Sequence, residues 1–536
     1  MKDKKKLIFI VIGVLIAVAV IICFVVAHKK VESTSSNGES ASEISSKYKD
    51  ITYDSTNDLE EATITKGGSY NLTGEYSCIT INTSKDVELN LTDATITCDS
   101  GPAIYVEDAD SVSIVLTGTN VISATTSEDL DGAIYSTDDL ILSGTGSLEI
   151  KSNYDGIVSK DTLVINSGTY IINSSDDGIR GKDNVAIVDG TFTINAGGDG
   201  IKSTNEEDST KGYVAIDNGT FNITSVTDAI QATTYLNING GTYNIKTTGN
   251  ANSVSAKGLK ATSLIEISGG TFEINTTDDA IHSNSNITIN KGSFTIETDD
   301  DGLHADNILT INDGTIDIKD SYEGLEGSTI YVKGGNISVY ASDDGVNAAS
   351  SDSSANTRNS MNGRDNFKNS TGVLEISGGT LKVVSLGDGL DSNGTISITG
   401  GTIYVESSNQ APEEAIDHVG AMNITGGTVI VVSNNMANDD GTKTSSIPYL
   451  MISVSNGSGK ISIGDVSYTP TISSYKYIFV ASSNLSTGSN TLTYGSNSIS
   501  VTLSTGTISN ITSNGNMGGQ PNGGQNPGGQ GGPGRR

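Results

Sequence analysis

Positive charge is scarce in this chain. Its 536 residues carry 31 Lys and Arg against 63 Asp and Glu, a formal net charge of −32. That excludes nucleic acid as a partner, because phosphate recognition needs clustered Lys and Arg. An excess of this size points to cation binding or to solubility. Tryptophan is absent and cysteine occurs three times. Ser, Thr, Asn and Gly dominate instead, a composition suited to an extracellular β-solenoid rather than a cytosolic enzyme. Bulky Ile22 directly before Cys23 excludes a lipoprotein cysteine. Long apolar runs are missing too, with one exception. Residues 7–27 form an uncharged stretch long enough to span a bilayer as a helix. Lys2, Lys4, Lys5 and Lys6 precede it, so a cytoplasmic N-terminus is expected, although Lys29 and Lys30 on the far side weaken the asymmetry. The expected organisation is a basic stub (1–6), a transmembrane anchor or uncleaved signal (7–27) and a Ser-rich tether (28–50). The expected location is the cell membrane, single-pass with the following domain outside, or secreted if Val25-x-Ala27 is cut.

Beyond the tether a phrase recurs: Asp-Gly-Ile, then Leu-x-Ile, then Gly-Thr-Phe-x-Ile. Its anchors are Gly156, Gly178, Gly200, Ala229, Gly258, Ala280, Gly302, Gly324, Gly345, Gly389 and Ala415, commonly 21 or 22 residues apart. A period of that length marks a stacked repeat. Within one unit Val185 and Ile187 alternate, as do Phe192 and Ile194, so the elements are strands. Runs of three to five residues between turn formers leave no room for a helix. Short strands with one inward face can only pair with their copies above and below. The expected fold is all-β, a single-stranded parallel β-helix of about 22 residues per coil over 51–430. About fifteen coils at roughly 4.8 Å give a rod on the order of 70 Å.

A second glycine phase (Gly168, Gly190, Gly241, Gly270, Gly314, Gly401, Gly427), each followed by Thr, fits corners that need positive φ. A polar loop is expected at 203–212 and a longer insertion at 349–371. A C-terminal β cap is expected over 431–512, then a disordered Gly/Pro/Gln tail over 513–536. Cys78 and Cys98 are spaced by nearly one coil. A disulfide and a stacked pair of buried thiols both fit that spacing.

Stacking turns phases into columns. The residue before each anchor is acidic in nearly every coil: Asp131, Asp155, Asp177, Asp199, Asp228, Asp279, Asp301, Glu323, Asp344, Asp388 and Glu414. Asp176, Asp278, Asp300 and Asp343 double it, and Asp299 adds a third acid. Like charges roughly 5 Å apart repel by about 1 kcal/mol per neighbour in water and by more away from it. Bound Ca²⁺, which accepts carboxylate and carbonyl oxygens, would relieve that repulsion. Turn chemistry alone, with each carboxylate accepting backbone N–H groups, is the competing reading. Two residues past the anchor lies a second column: Arg180, Lys202, Gln231, Lys260, His282, His304, Glu326, Asn347, Asp391 and Asp417. Alternation turns it outward. Its basic part (Arg180, Lys202, Lys260, His282, His304) is the candidate contact for an anionic sugar polymer, and Asp391 and Asp417 join the metal candidates. A solvated face with compensating charges is the plainer alternative, and exposure rather than metal ligation is expected of His282 and His304.

The coils "SSDDGIRG", "TTDDAIHS", "TDDDGLHAD", "ASDDGVNA" and "GDGLDSNG", joined by "GGTF"-type strands, resemble the clostridial surface carbohydrate-binding β-helix proteins over roughly 51–510. The resemblance implies a right-handed coil related in shape to pectate lyases, Ca²⁺ held by acids at the turns, and affinity for cellulose-like or acidic plant polysaccharides such as polygalacturonate. A lyase would need an Arg or Lys base, and Arg180, the only Arg in a regular coil, stands beside Asp176 and Asp177 with Lys202 one coil on. The Gly-His-Gly and Arg-Ile-Lys signatures of a polygalacturonase are absent. Carboxylates repeated in every coil belong to a scaffold, whereas a catalytic acid pair is singular. The expectation is therefore a monomeric, calcium-stabilised polysaccharide binder without catalysis. A calcium-dependent lyase and a structural stalk or adhesin are the alternatives.

Overall fold

The computed structural model describes residues 39–349, 371–407, 414–435, 441–508 and 512–513, apart from 54, 60 and 61. The candidate anchor, most of the 349–371 insertion and nearly all of the tail lie outside these residues. Among the described residues no helix is long and apolar enough to cross a membrane.

Each regular coil contributes three short strands, such as Ile179–Gly181, Asn184–Ile187 and Thr191–Ala196. Each pairs in parallel with its copy one coil on: Ile179 opposite Ile201, Val185 opposite Val214, Phe192 opposite Phe221. The same parallel pairing runs from Thr56–Asp58 against Gly68–Tyr76 to Thr402–Ser407 against Thr428–Ser433. The chain is thus a parallel β-solenoid, and its register copies each phase of the repeat from coil to coil.

Alternation sends every second side chain inward. Ile172, Ile194, Ile223, Ile245, Ile274, Ile296 and Ile318 form one fully buried row. Beside it Tyr170, Phe192, Phe221, Tyr243, Phe272 and Phe294 stack ring on ring, with successive centroids 5.1, 4.8, 4.8, 4.5 and 4.6 Å apart. Each buried ring contributes about 1.5–3 kcal/mol of burial and each pair about 0.5–1.5 kcal/mol more. The corner glycines do hold positive φ, for example 151° at Gly190 and 110° at Gly270. The anchor is small for another reason: a Cβ at Gly178 would lie 2.5 Å from the Gly200 carbonyl oxygen.

The open question at Cys78 and Cys98 is resolved in favour of a disulfide, with the two Cα atoms 4.9 Å apart.

Two expectations need correction. Residues 28–50 are not tether throughout. Ala41–Ser46 is a helix whose N-cap Ser40 and Glu43 form a reciprocal capping box. Ala41 and Ile44 pack on Ile141, Val164, Ala186, Tyr213, Ala215 and Tyr235 on the flank of the rod. Ser42 N–H donates to Asp217 at 2.8 Å, and the Tyr48 hydroxyl donates to Asp139 at 2.8 Å. The boundary at 430/431 also falls inside a strand. Thr428–Ser433 is parallel to the coil before it and antiparallel to Tyr475–Ser482 after it. That switch ends the parallel stack on this face and covers its edge, while Ala421–Ile424 still pairs in parallel with Thr442–Gly457. Glu406, fully buried, fastens the terminal unit to the coils: it accepts the Tyr468 hydroxyl, and its Oε2 accepts the N–H groups of Thr471 and Ile472 at 2.7 and 2.9 Å.

Candidate functional site: a double column of charge

The strand register aligns the second column. Arg180 lies opposite Lys202, Lys202 opposite Gln231, Gln231 opposite Lys260, Lys260 opposite His282 and His282 opposite His304. The line continues through Glu326 and Asn347 to Asp391 and Asp417. The acid column runs beside it at the preceding turn. Asp155, Asp177, Asp199, Asp228, Asp279, Asp301 and Asp388 are all buried, as is Asp278. Glu323, Asp343, Asp344, Asp300 and Glu414 are half-buried, and Asp176 and Asp299 are exposed.

Along the column the acid before the anchor has two oxygens with different tasks. Oδ1 accepts the backbone N–H at the next turn: from Asp177 to Asp155 at 3.0 Å, from Asp199 to Asp177 at 2.8 Å, from Asp228 to Asp199 at 2.9 Å and from Lys257 to Asp228 at 2.9 Å. The pattern resumes at Asp279, Asp301, Asp344 and Asp388, which receive Asp301, Glu323, Asp388 and Glu414. Oδ2 turns toward the second column. Arg180 pairs with Asp131 and, at 2.5 Å, with Asp155. Lys202 pairs with Asp199 at 2.7 Å and Lys260 with Asp228 at 3.0 Å. The turn bonds therefore occupy one oxygen and leave the other to face a cation. In this part of the rod the cations are the protein's own side chains.

Alternation misleads about the exposure of the basic column. The Arg180 side chain is only 16 % exposed, and His282 is buried rather than solvent-facing. Lys257, which replaces the usual acid before Gly258, reaches Asp278 and Asp279 at 2.6 Å each. It was missed because the column was read for its acids; the break in the acidic series at this coil was the available signal. The loop 249–252, Lys257, Asp278, Asp279, Asp299–Asp301, His282 and His304 line a cleft of about 530 Å³.

The two halves of the column differ in their electrostatics. Burial pushes Asp155 up to about 7, against the lowering effect of Arg180, and raises Asp177 and Asp199 despite Lys202. Asp279 goes the other way: burial would raise it, but the adjoining His282 and His304 imidazoles and the charge of Lys257 hold it well below the usual carboxylate range. From Glu326 onward the second column carries no Lys, Arg or His. There burial pushes Glu326 up to about 8, with the Asp301 carboxylate adding to the shift against the charge of His304. Burial and the charges of Glu326, Asp301 and Asp344 raise Glu323 well above normal. Burial pushes Asp388 up to about 9, with Asp344, Asp391 and Asp417 adding to it. Ligand oxygens of Asp388, Asp391 and Asp417 lie within 4.8 Å of one another. That all-oxygen set fits a hard divalent cation such as Ca²⁺. The sets Asp155/Asp176/Asp177 and Asp278/Asp279/Asp300 are as close, but Arg180 and Lys257 already stand against them.

The chain is similar to a solved polysaccharide lyase-like protein from C. thermocellum, a gadolinium derivative, at 29% identity over 35% of this chain and 84% of that one, with a TM-score of 0.32. No curated protein matches it. A family model described as carbohydrate-binding domain-containing protein matches residues 58–302 and 299–469, which together span most of the solenoid. The chain belongs to the carbohydrate-binding domain-containing family.

Proposed function

We propose that this protein is a non-catalytic, calcium-stabilised binder of acidic polysaccharide, held at the cell surface by residues 7–27. The observation that carries the reading is the aligned double column. It sets one face of the rod with repeated carboxylates and brings ligand oxygens of Asp388, Asp391 and Asp417 within 4.8 Å of one another. Asp388, Asp391 and Asp417 are the residues that would hold Ca²⁺. The ion would supply charge neutralisation and open positions for uronate carboxylates. Coils spaced at roughly 4.8 Å approximate the repeat of a sugar residue, so a polymer can follow the column. The disulfide Cys78–Cys98 suits an oxidising, extracellular location.

Absence of catalysis is supported by the state of Arg180. A lyase base must reach a substrate proton, but this guanidinium is enclosed by Asp131, Asp155 and Asp177. The test is retention of the purified ectodomain on polygalacturonate with Ca²⁺ and with EDTA, while following unsaturated-uronate absorbance. Retention that disappears with EDTA, and a flat absorbance trace, are expected. Equal retention in both buffers overturns the calcium dependence, and a rising trace overturns the non-catalytic reading.

A further inference from the structure

Two histidines in adjacent coils of a solenoid would ordinarily stack like the Phe192–Phe221 pair, whose rings are nearly parallel at 2°. His282 and His304 do not. Their centroids are 4.7 Å apart but the planes stand at 80°. Their Nδ1 atoms approach a shared set of carboxylate oxygens. His282 Nδ1 is 2.8 Å from Asp279 Oδ2. His304 Nδ1 is 3.6 Å from the same oxygen, 3.3 Å from Asp301 Oδ2 and 3.1 Å from Glu326 Oε2.

His282 provides a second, independent observation. The residue is 8 % exposed, and its Nδ1 makes no hydrogen bond although Asp279 Oδ2 lies 2.8 Å away. It lines the cleft beneath the loop 249–252.

We propose that Asp279, His282 and His304 form a site for a borderline divalent transition metal of the Zn²⁺ class, with Glu326 or Asp301 supplying a further oxygen. The donor set decides the class of ion. Two imidazoles with carboxylates select Zn²⁺, Ni²⁺ or Cu²⁺ over Ca²⁺, which prefers oxygen alone. The spacing agrees. Ligands about 2.0–2.1 Å from a tetrahedral ion lie roughly 3.3 Å apart, and the separations above run from 2.8 to 3.6 Å. Lys257 is the built-in competitor, since its ammonium sits 2.6 Å from the same Asp279 oxygen. This site is separate in chemistry and position from Asp388, Asp391 and Asp417, and its test does not involve glycan.

The experiment is equilibrium dialysis and calorimetry of the EDTA-stripped ectodomain with Zn²⁺, in a large excess of Ca²⁺. One Zn²⁺ per chain is expected, with affinity reduced at least tenfold in both His282→Gln and His304→Gln. Lys257→Met should bind more tightly than the parent, a gain that a misfolded variant cannot produce. A Co²⁺-loaded sample should show the visible absorption of a tetrahedral ion, lost in His282→Gln. No Zn²⁺ uptake by the parent chain, or uptake indifferent to both histidine substitutions, overturns the proposal.

Discussion

Oδ1 of Asp177 accepts the backbone N–H of Asp199 at 2.8 Å, one coil away. The acid that crowds the column thus also holds two turns together. Asp177→Ala removes the acceptor and strands a buried N–H, at a cost of about 1–3 kcal/mol. Asp177→Asn keeps a carbonyl oxygen in place and loses only the long ion pairs to Lys202 and Arg180, at 3.6 and 3.8 Å. Urea denaturation should show a clear midpoint loss for the alanine variant and less than half of it for the asparagine variant. Equal losses would mean that charge, not the turn bond, is what the position supplies.

Arg180 stands against two carboxylates of earlier coils, Asp131 and Asp155. Arg180→Met leaves the buried Asp155 charge without its partner, and breaking such a pair costs about 3–5 kcal/mol. Part of that loss is recovered if Asp155 takes up a proton, so the variant should be relatively more stable at pH 5 than at pH 8. Thermal melts at the two pH values check this. Arg180→Lys should recover less than the full stability, because an ammonium cannot make the forked contact.

The coil period was legible because the constraint behind it is local and repeated. A Cβ at Gly178 meets the next turn, and Gly190 needs positive φ, so the two phases recur wherever a coil closes. The two columns followed from the same register, down to His282 opposite His304. What escaped was set by contacts distant in sequence. The helix Ala41–Ser46 spans only six residues, and its apolar partners Ile141 and Tyr213 lie far along the chain. Its capping box, Ser40 with Glu43, was the one local sign. Period-two alternation places His282 outward, but flanking acids and Lys257 enclose it, which no periodicity reports.

Glu406 carries a prediction of the same kind. Its parity is outward, yet the terminal unit covers it completely, and Tyr468, Thr471 and Ile472 all donate to it. Glu406→Ala should detach the terminal unit from the last coils before the rod itself melts. Charge-assisted hydrogen bonds contribute about 1.5–3 kcal/mol each, so the loss should be resolvable. Hydrogen exchange is the direct readout: protection should fall across 442–507 and hold in the 191–298 coils. A uniform loss along the chain would contradict a local fastening.

The acid-rich end of the column makes stability depend on pH in a direction opposite to an ordinary salt-bridged carboxylate. Burial pushes Asp388 up to about 9 in the folded protein, with Asp344, Asp391 and Asp417 adding to it, against about 3.9 in the unfolded chain. Between those values the native state binds more protons than the unfolded one, so the slope of stability against pH is negative. The contribution is fully present below about pH 4 and is lost as pH rises through about 9. In EDTA, melting temperature should therefore fall from pH 5 to pH 9. Calcium binds the ionised carboxylates and reverses the balance, so its stabilising increment should grow over the same interval. Asp388→Asn, which removes the charge and keeps an acceptor for Glu414 N–H, should flatten the EDTA profile and shrink the calcium increment together. A calcium increment that is the same at pH 5 and pH 9, and unaffected by Asp388→Asn, would place the ion elsewhere.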